Sequence, residues 1–294
     1  MFFFDVNIIM KKIGNTPTIP FKKFKLSSIE PNSFIMVLGK RGSGKTSCMQ
    51  HILWSKRGAI RAPILYSKTA EVTHVFDNMI PQLLQYKDLT PEKINDIILY
   101  CADNANSETT KKKFKGKKKE TWFIGDDILA DKKWMKDKTF RDMVYNGRNY
   151  DMTVMLAIQD GLGLASEYRD NVDYIFITGI ANRGKKVFYE QYWEDEWGNY
   201  DECMNIINRI TTKESRGSVL VVDKKHQKKD SKITDCVFYL QLANPNVFSK
   251  PEYKKYVKIG SSKIWEADKK LLDPNWKINS LRYNLQKPRL RDIL

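Results

Sequence analysis

A chain of 294 residues with 41% hydrophobic residues is long and apolar enough to bury a full core, which excludes a disordered protein and suits one large domain or one domain with an appendage. The formal net charge of +16 points to a polyanionic partner. Seven lysines in Lys111–Lys119 (KKKFKGKKK) supply part of that excess, yet +9 remains spread over the rest, so the basic character is not confined to one run.

The four cysteines, Cys48, Cys101, Cys203 and Cys236, show neither C-x-x-C pairing nor zinc spacing, as suits buried, reduced thiols of an intracellular protein. The apolar start MFFFDVNIIM is interrupted by Asp5 and Asn7, and its lysines follow rather than precede it, the wrong order for a signal peptide. No run approaches the roughly 18 uninterrupted apolar residues of a membrane span. These features predict a soluble cytosolic protein.

In chain order, Ser33–Leu38 (SFIMVL) reads as a first strand, followed by a glycine-rich turn and a helix over Lys45–Trp54. Pro63–Ser67 is a second strand. A helix follows over Pro91–Asn104, with Thr90 as its cap and Ile94, Ile97, Ile98 and Cys101 on one face. Beyond the lysine-rich loop come a strand at Thr121–Ile124, a helix over 134–146, a strand at Met152–Ile158 and a strand at Val172–Thr178. Alternating strands and helices imply an α/β fold with a mainly parallel central sheet and helices on both faces. Val187–Thr211 reads as one or two helices. Ser218–Val222 and Cys236–Leu242 read as an antiparallel hairpin on the sheet's edge. The expected division is an N-terminal extension over 1–30, a nucleotide-binding domain over 31–243 and a basic tail over 244–294.

The chemistry concentrates in three places. Gly39, Lys40, Arg41, Gly42, Ser43, Gly44, Lys45 and Thr46, with Ser47 after them, fit G-x-x-x-x-G-K-[ST] in full between a strand and a helix. Such a loop aims backbone N–H groups at phosphate oxygens, its lysine reaches the β and γ phosphates, and its Thr46 hydroxyl is offered to Mg²⁺. The cofactors read from it are ATP and Mg²⁺. In WFIGDD, residues 122–127, four mostly apolar residues end in two acids. Asp126 is the candidate metal carboxylate and Asp127 the candidate base that polarises water. The alternative is a strand running into a turn capped by aspartate. The missing N-K-x-D motif argues against a GTPase, and no arginine-rich lid of a small-molecule kinase is located.

The third place is NGRNYDMTVMLAIQD, residues 146–160. If its strand lies beside the Asp126 strand, Gln159 emerges at the ligand-binding edge of the sheet, where an amide can orient water or sense a γ phosphate. Arg148, before that strand, is a candidate arginine finger for a neighbouring subunit. The competing reading pairs it with Asp151 or Asp142, and Arg169 and Arg183 are rival fingers near other strand ends.

SFIMVLGKRGSGKTS, PILYSKTAEVTHVFDNMIP, WFIGDD and NGRNYDMTVMLAIQD, in that order, resemble the poxvirus-type DNA-packaging ATPases of the FtsK–HerA superfamily over roughly residues 30–180. The resemblance implies a RecA-like P-loop core and places Gln159 by the γ phosphate, Arg148 as the finger and Asp127 as the second acid. Many superfamily members carry Glu at the position of Asp127, and viral relatives often have His at that of Asn149. It further implies a homo-oligomeric ring that drives double-stranded DNA into a preformed capsid, with capsid or portal components as partners, in the virion or the viral factory of the host cytoplasm. The rival readings are a related cellular pump or helicase, and a basic structural DNA- or capsid-binding protein whose loop merely binds nucleotide. KKKFKGKKK and the 224–229 run KKHQKK are candidate DNA contacts or simply solvated loops. His51, His74 and His226 lack metal-ligand spacing.

Overall fold

The strand expected around Ser33–Leu38 runs through the middle of a nine-stranded sheet in a computed structural model that describes residues 21–106, 119–128, 136–159, 164–211, 217–244, 258–260 and 262–272. The lysines 111–118 and most of the predicted C-terminal tail lie outside the described residues. The strands are β1 (Lys22–Lys23), β2 (Phe34–Gly39), β3 (Ile60–Ser67), β4 (Gln85–Tyr86), β5 (Glu120–Asp126), β6 (Met152–Ile158), β7 (Tyr174–Gly179), β8 (Ser218–Asp223) and β9 (Val237–Gln241). Their spatial order is β1-β9-β8-β7-β2-β6-β5-β3-β4, and every pairing is parallel except the two made by β8. This is the mainly parallel α/β arrangement that the alternation predicts.

Every residue of β2, β3, β5, β6 and β8 is buried, which is why those segments are apolar without a period of two. The helix after the glycine-rich loop, α1 (Lys45–Lys56), turns Cys48, Met49, Ile52 and Leu53 into the core. Four further helices bear on the site. They are α2 (Pro91–Asn106), α3 (Lys138–Asn146), α4 (Asn182–Tyr192) and α5 (Tyr200–Ile210). The Asp137 side chain caps α3 by accepting from Thr139 N at 2.8 Å. A 3₁₀ turn over Gly147–Tyr150 then closes on Asp151 at φ 52°, and the chain enters β6.

Several expectations need correction. The β8–β9 pair is antiparallel, but it is not the sheet's edge, because β1 pairs with β9 outside it. The connection after β8 is not a tight tip either. Asp223 accepts from His226 N at 3.1 Å, and a helical turn, Ile233–Cys236, precedes β9. The second strand begins three residues early, because Arg61, 6% exposed, donates to Thr121 Oγ1 at 3.2 Å inside the core. Packing also crosses both expected domain boundaries. Phe21, Phe24, Leu26 and Ile29 are buried, and the Asp268 carboxylate accepts from Leu83 N at 2.7 Å. All four cysteines are buried free thiols. No described helix is long and apolar enough to cross a membrane.

Candidate functional site

Because β2, β5, β6 and β7 run parallel, their C-terminal ends open on one edge of the sheet, where ligands of open α/β sheets bind. The register sets Leu38 opposite Ile158 and Gly125 opposite Leu156, so Gln159 leaves β6 between the phosphate loop and the two acids. The strand adjacency on which the reading of Gln159 depends is present.

The loop has the local geometry its motif requires. Gly44, just before α1, has φ 95°, a left-handed conformation that side chains other than glycine adopt only with strain. Gly39 is fixed by space instead. A Cβ there would lie 2.2 Å from Thr178 Oγ1 and 2.4 Å from Ser43 Oγ. Those two hydroxyls share a 2.7 Å hydrogen bond, and Lys40 N donates to Gly179 O at 2.8 Å, so the loop leans on the end of β7. Lys45 Nζ donates to the carbonyls of Gly39 at 2.8 Å and Lys40 at 3.2 Å. Thr46 and Ser47 are half-buried at the start of α1, while Lys40 and Arg41 are exposed.

Electrostatically the site is a buried cation facing two acids. Burial lowers the pKa of Lys45, opposed by the charges of Asp126 and Asp127. Asp126 is 8% exposed. Burial first, then the adjacent Asp127 charge, pushes its carboxyl up to about 6, partly offset by Lys45. Asp127 follows β5 with φ 52°, a left-handed conformation that aspartate tolerates better than most residues. Its Oδ1 accepts from Gln159 Nε2 at 2.6 Å. The amide and the second acid, read separately from sequence, therefore form one hydrogen-bonded unit.

Among the described residues no group of three or more His, Cys, Asp or Glu side chains could hold a metal. Asp126, a buried carboxylate with no cationic partner in hydrogen-bond contact among the described residues, and the half-buried Thr46 hydroxyl are the groups that could hold an ion such as Mg²⁺, which keeps water and takes phosphate oxygens.

The candidate fingers separate by position. Arg148 sits on the 3₁₀ turn before β6, at the opposite end of that strand from Gln159. It is exposed, and among the described residues no hydrogen bond or ion pair engages it. Asp142 accepts instead from Asn146 Nδ2 at 2.6 Å and from Tyr150 OH at 3.2 Å. Arg148 lines a small cleft with Asn32, Asp173 and Lys225. Arg169 is committed, donating to Leu164 O at 2.9 Å and to Gln191 Oε1. Arg183 is exposed near the start of α4, just past the end of β7.

Of the 224–229 run, Lys225 pairs with Asp173 at 3.0 Å, and His226 lies between Asp223 at 2.9 Å and Glu30 at 3.2 Å. That run belongs to the sheet's N-terminal edge. His51 is a satisfied structural histidine whose Nδ1 accepts from Ala243 N at 2.7 Å. Thr178 and Gly179 are the site neighbours that motif reading passes over. Their signal is a hydroxyl and a glycine closing the apolar run YIFITG at the end of a strand.

No protein-family model matches the chain. It is 27% identical over 226 residues to uncharacterized protein 015R of Frog virus 3 (isolate Goorha), covering 68% of this chain and 67% of that one. It is also 27% identical over 252 residues to uncharacterized protein L437 of Acanthamoeba polyphaga mimivirus, covering 80% and 85%. Among solved structures it is similar to the genome packaging NTPase B204 from Sulfolobus turreted icosahedral virus 2 in complex with AMPPCP, with 13% identity, a TM-score of 0.47 and coverage of 72% of this chain and 99% of that one.

Proposed function

We propose that this chain is an ATPase whose hydrolysis drives double-stranded DNA into a viral capsid, acting as a homo-oligomeric ring. The observation that carries the nucleotide half of this reading is the convergence of Lys45, Asp126 and the bonded pair Gln159–Asp127 on one strand edge. The viral half rests on the sequence resemblance and on relatives that are all viral proteins.

In this reading the phosphate loop, Gly39 to Ser47, cradles the triphosphate on backbone N–H groups and the N-terminus of α1. Thr46 and Asp126 would hold Mg²⁺, which would neutralise charge on the phosphate oxygens. Lys45 moves from its loop carbonyls to the β and γ phosphates. Asp127 accepts a proton from the attacking water, and Gln159 orients that water. The 2.6 Å bond between Gln159 and Asp127 keeps amide and base in register before nucleotide arrives.

Arg148 cannot serve its own site, because β6, seven residues and so roughly 20 Å long, lies between them. It acts on the phosphates of a neighbouring subunit, which ties turnover to ring assembly. The basic excess supplies sequence-independent contacts to DNA phosphates, and Lys111–Lys119 is the run proposed to make them. Lys225 is bonded to Asp173 and lines one cleft with Arg148, which supports reading the 224–229 run as facing a neighbouring subunit instead.

The test is ATP hydrolysis with and without double-stranded DNA. Hydrolysis should rise with DNA and collapse in Lys45→Ala and Asp127→Asn. Wild-type rates in both variants would sink the assignment.

A further inference from the structure

The motif residues account for the phosphates of a nucleotide and leave its other end unassigned. We infer that a cleft of about 540 Å³ on the β7 flank of the phosphate loop, lined by Lys40, Gly179, Asn182, Lys185, Asn208 and Thr211, receives the ribose and base of the bound nucleotide. The inference rests on the phosphate-loop reading and extends it to the nucleoside.

Strand β2 has β6 on one side and β7 on the other. Asp126, Asp127 and Gln159 all stand on the β6–β5 side. A triphosphate whose terminal phosphate faces them points its nucleoside toward β7. There the loop is anchored by the Ser43–Thr178 hydroxyl pair and by Lys40 N on Gly179 O, and Lys40 and Gly179 also line the cleft. Loop and cleft are continuous.

Small-molecule sites occupy about 300–1,000 Å³, and this cleft falls within that range. Lys185 Nζ donates to Asn182 Oδ1 at 3.2 Å and to Asn208 Oδ1 at 2.6 Å. Turning both amide oxygens to the lysine leaves the two Nδ2 groups as donors for a ligand. The Thr211 hydroxyl donates to Ile207 O at 2.7 Å, which leaves its oxygen as an acceptor. Among the described residues Lys40 and Lys185 are the charged side chains of the lining, and no carboxylate joins them. Two donors, one acceptor and the loop cation Lys40 on the phosphate side match a nucleoside with ring nitrogens, an exocyclic amine and ribose hydroxyls. Three residues from two helices, Asn182 and Lys185 of α4 and Asn208 of α5, thereby become specificity-determining candidates.

Calorimetric titration of the full chain in Mg²⁺ with a non-hydrolysable ATP analogue and with tripolyphosphate tests this. The wild type should bind the analogue about tenfold more tightly than tripolyphosphate. In Asn182→Ala/Asn208→Ala the analogue should weaken about tenfold while tripolyphosphate affinity stays unchanged, which also shows that the loop remains folded. The proposal is overturned if the double variant keeps wild-type affinity for the analogue, or if tripolyphosphate weakens equally. Tripolyphosphate binding that persists in Lys45→Ala, or binding of neither ligand by the wild type, overturns the phosphate-loop reading itself and the cleft assignment with it.

Discussion

The two edges of the sheet handle charge in opposite ways. At the N-terminal edge the acids are closed within the molecule. Glu120 accepts from Asn32 N at 2.7 Å and from Thr153 Oγ1, Asp173 accepts from Phe34 N at 2.8 Å and pairs with Lys225, and Asp223 pairs with His226. At the C-terminal edge Asp126 is buried with its carboxyl pushed up to about 6, and Asp127 sits in a left-handed backbone conformation. A satisfied edge stabilises the fold, whereas a buried carboxyl with a raised pKa and a strained neighbour marks the other edge as a candidate for a ligand from outside. Arg148 is the exception on the satisfied edge, a cation with no partner among the described residues.

That lone arginine carries the largest expected effect. Arg148→Ala should lower steady-state hydrolysis about a thousandfold while leaving nucleotide binding in place. Mixing Arg148→Ala subunits with Lys45→Ala subunits should restore activity above either parent, because each lends the other its intact half. If mixed assemblies form without recovery, the two edges do not meet across subunits.

A second prediction concerns the unsatisfied edge and pH. A carboxyl raised from 3.8 to about 6 binds its proton more tightly in the folded state. Its contribution to stability is therefore fully present below pH 3.8 and is lost as pH rises through about 6. Metal binding needs the ionised form, so Mg²⁺-dependent nucleotide affinity should fall up to about tenfold per pH unit below pH 6. A flat profile between pH 5 and 7 would remove Asp126 from the metal site.

The smallest effect belongs to the satisfied edge. Hydrogen bonds to Asp223 hold the His226 pKa above its ordinary 6.5, so its stabilisation is present below pH 6.5 and is lost as pH rises through the raised value. The ring is about half exposed, so solvent screening keeps the contribution of His226→Gln below about 1 kcal/mol. Denaturant melts at pH 6 and pH 9 should differ between wild type and variant only at the lower pH. Loss of hydrolysis in this variant would mean that the edge does more than hold the fold.

What was legible from sequence follows from how local each signal is. The G-x-x-x-x-G-K-[ST] run is contiguous, so the strand before it and the helix after it could be read directly. Gln159 was legible as a polar end on an apolar run, but its bond to Asp127 spans 32 positions and depends on β6 lying beside β5. Lys22–Lys23 carries no strand signal, because its place in the sheet comes from pairing with Phe238 and Tyr239 far along the chain. Arg61 disguised the start of β3 because a buried arginine is rare unless partnered, and its partners, Thr121 Oγ1 and the Tyr100 ring, are supplied by other elements. The β7 flank escaped notice for the same reason, since Thr178, Lys185 and Asn208 lie on three separate elements.

Single-turnover hydrolysis by Asp127→Asn tests the central claim most directly, because the substitution removes the proposed base and keeps the shape of the side chain. The variant should bind Mg²⁺ and ATP with affinity close to wild type while the chemical step slows by about a hundredfold or more. Cleavage at the wild-type rate by the fully loaded variant would contradict it.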